Sequence, residues 1–227
     1  MLFRSAALAR RLGIKSPIPA EMPIALGTAE VSLLELTGAF AVLANRGRGA
    51  EPYAILEIRT RKGVEIFKRR ARPPARLLSD AVVADANAVL AGVLTRGTAR
   101  RWAFERPGAG KSGTTQDSRD AWFVGYTARL VTSVWLGNDD NSAMKRVAGS
   151  GLPAEIWGKY MKAAHAGAQP APLPGGLWQG TPRSIFDGGA PVAGARPPAN
   201  TQTADSDRAW VPPAPQEKNF LERLFGG

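Results

Sequence analysis

The chain has 227 residues, with 30 Lys and Arg against 19 Asp and Glu, one His and no Cys. Apolar residues make up 44% and charged residues 22%, which excludes wholesale disorder, and the lack of Cys excludes disulfides, thiolate catalysis and Cys-ligated metals. The +11 net charge lies wholly in residues 1–165, and favours anionic partners without choosing among nucleic acid, lipid and acidic polymer.

Met1–Leu12 (MLFRSAALARRL) is interrupted by Arg4, Arg10 and Arg11, so it lacks the apolar stretch of a signal peptide and reads as an amphipathic helix capped by Gly13. Three prolines make Ser16–Pro23 a loop. Ser32-Leu33-Leu34-Glu35 is a capping box: hydroxyl and carboxylate satisfy first-turn N–H groups. It opens a helix over 32–46 with Leu33, Leu36, Phe40 and Leu43 on one face and Gly47 at its end. Tyr53–Arg59 and Val64–Phe67 alternate around Lys62-Gly63, which predicts a β-hairpin. Eight basic residues and one acid, Glu65, lie between Arg59 and Arg76 and read as a solvated surface.

Ser79 caps a second helix over 79–95, with Val82, Val83, Ala86, Val89, Leu90, Val93 and Leu94 on its apolar side. Three strands follow, near 110–115, 122–126 and 130–136, separated by polar turns as in an antiparallel meander. Pro153 suits the start of a helix over 153–165. From residue 166 onward the chain is rich in Pro, holding ten of its 18 prolines, and reads as a disordered tail (166–227) in which Asn219–Phe225 could form an amphipathic turn. No run of 18 apolar residues occurs, so no transmembrane helix is predicted.

Chemistry concentrates in Gly108–Asp120 (GAGKSGTTQDSRD). Gly110-Lys111-Ser112 matches the end of a phosphate-binding Walker loop, but the required first Gly is Glu105 and the residues after Ser112 are poor helix formers. The better reading is a K-S-G-T strand. Lys111 would attract a carboxylate, Gly113 would let a substrate backbone approach, and Ser112 and Thr114 would share one face of a period-two strand. An extended peptide could add to such an edge. Asp139 and Asp140 are adjacent and face opposite sides, which suits neither a glycosidase pair nor a metal. Asp117 and Asp120 read as turn carboxylates. Trp122, Phe123, Tyr126 and Trp135 read as packing between sheet and helices, Trp157 and Tyr160 as one packed helical face, and His165 as a partner of a helix end.

Residues 111–141 (KSGTTQDSRDAWFVGYTARLVTSVWLGNDDN) closely resemble the C-terminal part of the transpeptidase domain of class A penicillin-binding proteins. ARRLGI at 9–14, ALGTAEVSLLELTGAFAVLANR at 25–46, LTRGTA at 94–99 and GLPAEIWGKYM at 151–161 extend the resemblance in the same order, over most of residues 5–165. It implies an α+β fold, with an antiparallel sheet flanked by helices, for residues 1–165. It also implies a serine acyl transfer on the D-Ala-D-Ala stem peptide of peptidoglycan or on a β-lactam. The family works with three motifs, S-x-x-K, S-x-N and K-[ST]-G. By resemblance, Lys111 positions the proton relay, Ser112, Gly113, Thr114 and Thr115 bind substrate, and the Thr114 amide serves the oxyanion hole.

S-x-N occurs nowhere in this sequence, and S-x-x-K occurs only at Ser142-Ala143-Met144-Lys145, after the K-S-G-T strand rather than before it. Ser142 is therefore rejected as nucleophile. The expectation is a C-terminal part of such a domain, catalytically incomplete by itself, with an exposed apolar face, marginal stability or dependence on a complementary polypeptide. No cofactor and no metal are implied. The family acts at the outer face of the cytoplasmic membrane, although no export signal is visible here. The other reading is a basic binding or scaffold protein for anionic cell-wall polymer or nucleic acid, of which nucleic acid is the weaker candidate because no stacking platform accompanies the charge.

Overall fold

The computed structural model describes residues 2–18, 24, 27–70 and 73–175. Contacts divide the chain into Met1–Ser184 and Ile185–Gly227, and the described residues all lie in the first. In chain order these are α1 (Leu2–Arg11), α2 (Leu33–Ala44), the hairpin strands β1 (Glu57–Arg59) and β2 (Glu65–Lys68), α3 (Asp80–Thr95), the meander β3 (Ala109–Thr114), β4 (Asp120–Tyr126) and β5 (Val131–Gly137), and α4 (Leu152–Ala164). The fold is α+β, as the sequence predicts. The proline loop from residue 19 to 23, Met1, and all residues after 175, Asn219–Phe225 among them, lie outside the described residues.

The meander is an antiparallel sheet with β4 in the centre. Alternation sends Ala121, Phe123 and Gly125 to one face and Trp122, Val124 and Tyr126 to the other. The first face receives α4. Trp157 and Phe123 are fully buried with ring centroids 5.1 Å apart, and Phe104 meets Trp157 edge-on at 5.7 Å. Each such buried aromatic contributes about 1.5–3 kcal/mol. Gly125 is required here, because a Cβ would lie 2.4 Å from the Trp157 ring. The opposite face is covered by α2 and α3. Phe40 of α2 packs on Tyr126, and the Thr37 hydroxyl, which donates to the Leu33 carbonyl, is hydrogen-bonded to the Ser133 hydroxyl of β5 at 2.7 Å.

Helix starts follow the predicted caps. Ser32 and Glu35 form the reciprocal capping box, and Ser79 accepts from the Val82 amide. Glu35 does more than cap: it also accepts from the amides of Lys15 and Ser16 and from the Ser16 hydroxyl, which fastens the segment after α1 to the start of α2. These bonds, led by the Ser16 hydroxyl and then the Lys15 amide, lower its pKa to about 2.

Several packing expectations are corrected. On α2 the buried residues are Gly38, Ala39 and Val42, while Leu33 is exposed and Leu36, Phe40 and Leu43 are half-buried. Two layers share this short helix, so its contact surface is wider than one apolar stripe. On α3, Val82 and Val89 are exposed, whereas polar Asn87 is buried. Trp157 and Tyr160 do not share a packed face: Tyr160 is exposed and aligns with exposed Leu152 and Ile156 on the outer stripe of α4. Leu152, Ile156 and Tyr160 thus make an exposed apolar stripe on the outer side of α4, while both faces of the sheet are covered by helices. The first hairpin strand is shorter than Tyr53–Arg59, because regular pairing begins at Glu57.

Residues 166–175, which the sequence reading placed in a disordered tail, instead pack against the fold. Arg106 donates to the carbonyls of His165 and Ala168, Leu173 is buried beside Tyr126, and the Pro174 carbonyl accepts from Asn87 at 2.8 Å. Proline richness predicts poor helix and strand; it does not prevent an extended strap from packing. His165 sits where the chain leaves α4. Its Nδ1 faces the Met161 carbonyl at 2.8 Å and its Nε2 the Thr127 hydroxyl at 3.0 Å. The carbonyl can only accept, and Thr127 already accepts from the amides of Arg129 and Leu130, so Thr127 donates to Nε2. The ring is a buried pin between α4 and the β4–β5 turn as well as a partner of the helix end.

Candidate functional site

β3 is an edge strand, which leaves one side of its backbone open among the described residues. The Thr115 amide donates to the Asp120 carbonyl at 3.0 Å. Antiparallel alternation from that pair turns the amides of Lys111 and Gly113 toward β4 and those of Ser112 and Thr114 toward the open edge. An outward Thr114 amide is a donor that an incoming oxygen can reach.

The side chains divide by face. Ser112 lies opposite Phe123 and Thr114 opposite Ala121, on the α4 side; Lys111 lies opposite Val124 and Gly113 opposite Trp122, on the other side. Both hydroxyls are already engaged. Ser112 Oγ is 3.1 Å from Thr98 Oγ1, and Thr114 Oγ1 accepts from the Gly149 amide at 3.0 Å while keeping its own proton to donate. Lys111 is exposed and bends back to the Ser112 carbonyl at 2.6 Å, so its ammonium stays at the open edge. Thr115 is drawn into the β3–β4 turn, where its hydroxyl accepts from the Asp120 amide at 2.7 Å. The structure therefore brings Lys111, Ser112 and Thr114 to one edge and turns the Thr115 side chain to local structure.

A Cβ on Gly113 would meet only Trp122 Cβ at 3.5 Å, so this glycine is not demanded by the chain's own packing and leaves the strand bare on that face. Gly149 is the opposite case. A Cβ there would fall 2.2 Å from the Trp122 carbonyl oxygen and 2.3 Å from that of Gly113. Beside Gly113, Trp122 and Trp135 pack at a tilt with centroids 6.4 Å apart, and Trp135 Nε1 donates to Asp120 Oδ1 at 2.8 Å. Trp135 is 39% exposed, so it is less a core residue than the sequence reading held. Asp120 is the turn carboxylate predicted for it.

Ser142 lies in an exposed, irregular loop after β5. Its hydroxyl accepts from Asn138 at 3.0 Å, and no hydrogen bond joins it to Lys145. Hydrogen bonds from its side chain, then its amide, hold the Asp140 carboxyl below the usual carboxylate range. Thr98 and Gly149 were not singled out from the sequence. They reach β3 from 14 and 35 residues away, where periodicity carries no information.

No family model matches the chain. Penicillin-binding protein 1A of Aquifex aeolicus is 39% identical over 141 residues, which is 61% of this chain and 19% of that protein. Penicillin-binding protein 1A of Pseudomonas aeruginosa is 31% identical over 216 residues, covering 69% of this chain and 26% of the relative. Among solved structures, penicillin-binding protein 1A of Haemophilus influenzae superimposes with a TM-score of 0.66 at 26% identity, over 76% of this chain and 32% of that one.

This chain is a class A penicillin-binding protein relative, matching part of the transpeptidase domain. PonA1 of Mycobacterium tuberculosis, solved in complex with penicillin V, agrees with a TM-score of 0.64 at 27% identity, over 73% of this chain and 50% of that one. The chain spans about a quarter or less of these two curated penicillin-binding proteins. The α+β fold read from the sequence is thus the penicillin-binding transpeptidase fold in part.

Proposed function

We propose that residues 109–115 are the substrate-binding edge of a peptidoglycan D,D-transpeptidase. The observation that carries the reading is the open edge of β3, with an exposed Lys111 ammonium and the Ser112 and Thr114 amides turned outward. In this role an extended stem peptide ending in a carboxylate lies along β3 as an added strand. Lys111 and the Ser112 and Thr114 hydroxyls receive the carboxylate. The Thr114 amide donates to the oxyanion that forms when a serine attacks the penultimate D-Ala carbonyl, a charge absent from the ground state. The bare backbone at Gly113 admits the peptide, and Thr115 shapes the strand end through its bond to Asp120. Lys111 also holds the potential positive where the relay passes protons.

The serine itself is the part this chain does not supply in the reading. The sole S-x-x-K, at Ser142, is tied to Asn138 and Asp140 in a loop rather than presented to β3. The 227-residue chain is therefore inactive by itself and works only with a polypeptide bearing S-x-x-K and S-x-N. The test is fluorescent penicillin labelling of the purified chain, alone and coexpressed with such a polypeptide. Alone it forms no boiling-resistant adduct. Coexpressed, a labelled serine appears on the complementary polypeptide, and Lys111→Ala in this chain abolishes it. An adduct on this chain that Ser142→Ala removes overturns the reading.

A further inference from the structure

The β1–β2 hairpin stands apart from the chemistry of β3, and its surface is unusual. From Glu51 to Arg70 no residue is buried. Tyr53, Ile55, Leu56, Val64 and Ile66 are all strongly exposed, between 49% and 63%. Six cations lie between Tyr53 and Arg70 against two carboxylates, Glu57 and Glu65, and both carboxylates pair with a single cation, Arg59. Arg61, Lys62, Lys68 and Arg70 make no ion pair among the described residues.

The tip is rigid. Thr60 donates its amide to the Val64 carbonyl at 2.8 Å, its hydroxyl accepts from the Val64 amide at 3.0 Å, and Gly63 takes the positive φ of +82° that the turn needs. Arg61, Lys62 and Val64 are thus presented together on an ordered turn, and little conformational entropy remains to be lost on binding.

We propose that this hairpin docks on the surface of an anionic lipid bilayer, with Val64, Ile66 and their aliphatic neighbours entering the headgroup–acyl boundary and the free cations meeting lipid phosphates. Charge alone would suit any polyanion. The aliphatic side chains decide for lipid, because a soluble polymer offers them no apolar phase, whereas a bilayer takes both kinds of group. Stacking on nucleic acid is disfavoured: the Tyr53 ring is already covered by the Arg69 guanidinium at 3.9 Å, and Phe67 is half-buried. No described helix is long and apolar enough to cross a membrane, so this would be contact with a surface, not a span.

The absence of Cys allows a direct test on the full chain. An environment-sensitive dye on Val64→Cys shifts to the blue with phosphatidylglycerol-containing vesicles and not with phosphatidylcholine vesicles; the same dye on Asp85→Cys, exposed on α3, does not shift. In cosedimentation, Arg61→Ser with Lys62→Ser lowers partitioning roughly tenfold or more. Val64→Ser with Ile66→Ser, which preserves charge, lowers it several-fold. The proposal is overturned if the Val64 dye does not respond, or if the serine pair at 64 and 66 binds as wild type while duplex DNA or polyglutamate competes for the same cations. Tryptophan fluorescence of the remote Trp157 core checks that each variant is folded.

Discussion

The Gly149 amide donates to the Thr114 hydroxyl at 3.0 Å, and the same glycine lies against the backbone of Gly113 and Trp122. The segment between β5 and α4 therefore sets the position of the β3 edge. Gly149→Ala places a Cβ against two carbonyl oxygens that belong to the sheet and cannot rotate away. The expected loss is about 1–3 kcal/mol or more in a urea titration. Thr114→Val, which replaces the hydroxyl with a methyl and leaves the Gly149 amide without its acceptor, costs about 1 kcal/mol.

The buried Tyr126 hydroxyl donates to Asn87 Oδ1 at 2.6 Å, and Asn87 passes its own N–H to the Pro174 carbonyl. Burial raises the phenol's pKa, which keeps it a protonated donor. Tyr126→Phe leaves a buried acceptor unsatisfied and should cost about 1–3 kcal/mol. Asn87→Ala should also release the strap, read as faster proteolytic cleavage within residues 168–175 with the amides of β4 still protected from exchange.

Glu35 gives the fold a specific acid sensitivity. Its folded pKa, about 2, lies below the unfolded value near 4.5. Its contribution is fully present above the unfolded value and is lost as pH falls from about 4.5 through about 2. Glu35→Gln should lower stability at neutral pH and flatten the pH dependence of the urea midpoint in that window. An unchanged slope would show that the carboxylate is not engaged in solution.

Lys111 should separate function from fold. It is exposed and bonds only its neighbour's carbonyl, so Lys111→Ala should leave the urea midpoint within about 0.5 kcal/mol of wild type. A large destabilisation would mean that the lysine serves the strand rather than a substrate.

Local rules reached far into this fold. Caps at Ser32 and Ser79, Gly63 in the hairpin turn, and period-two runs in the meander are set by residues within a few positions of one another, and the strands and helices appear where those rules place them. The family resemblance was likewise carried by a contiguous string around Lys111. Facing was legible only in part. Leu33, Val82, Val89 and Tyr160 are apolar and exposed, while Asn87 and His165 are polar and buried, because burial depends on which layer covers a position and not on its own hydropathy.

By itself, then, the amino-acid order determined the elements, the period-two sharing of one face by Ser112 and Thr114, and the lack of any thiol chemistry. The tertiary structure decided that Thr98 and Gly149 hold the two hydroxyls, that Glu35 fastens the segment after α1, and that residues through Gly175 pack as a strap. Those contacts join segments from 14 to 87 residues apart, and only chain folding converts such distances into hydrogen bonds.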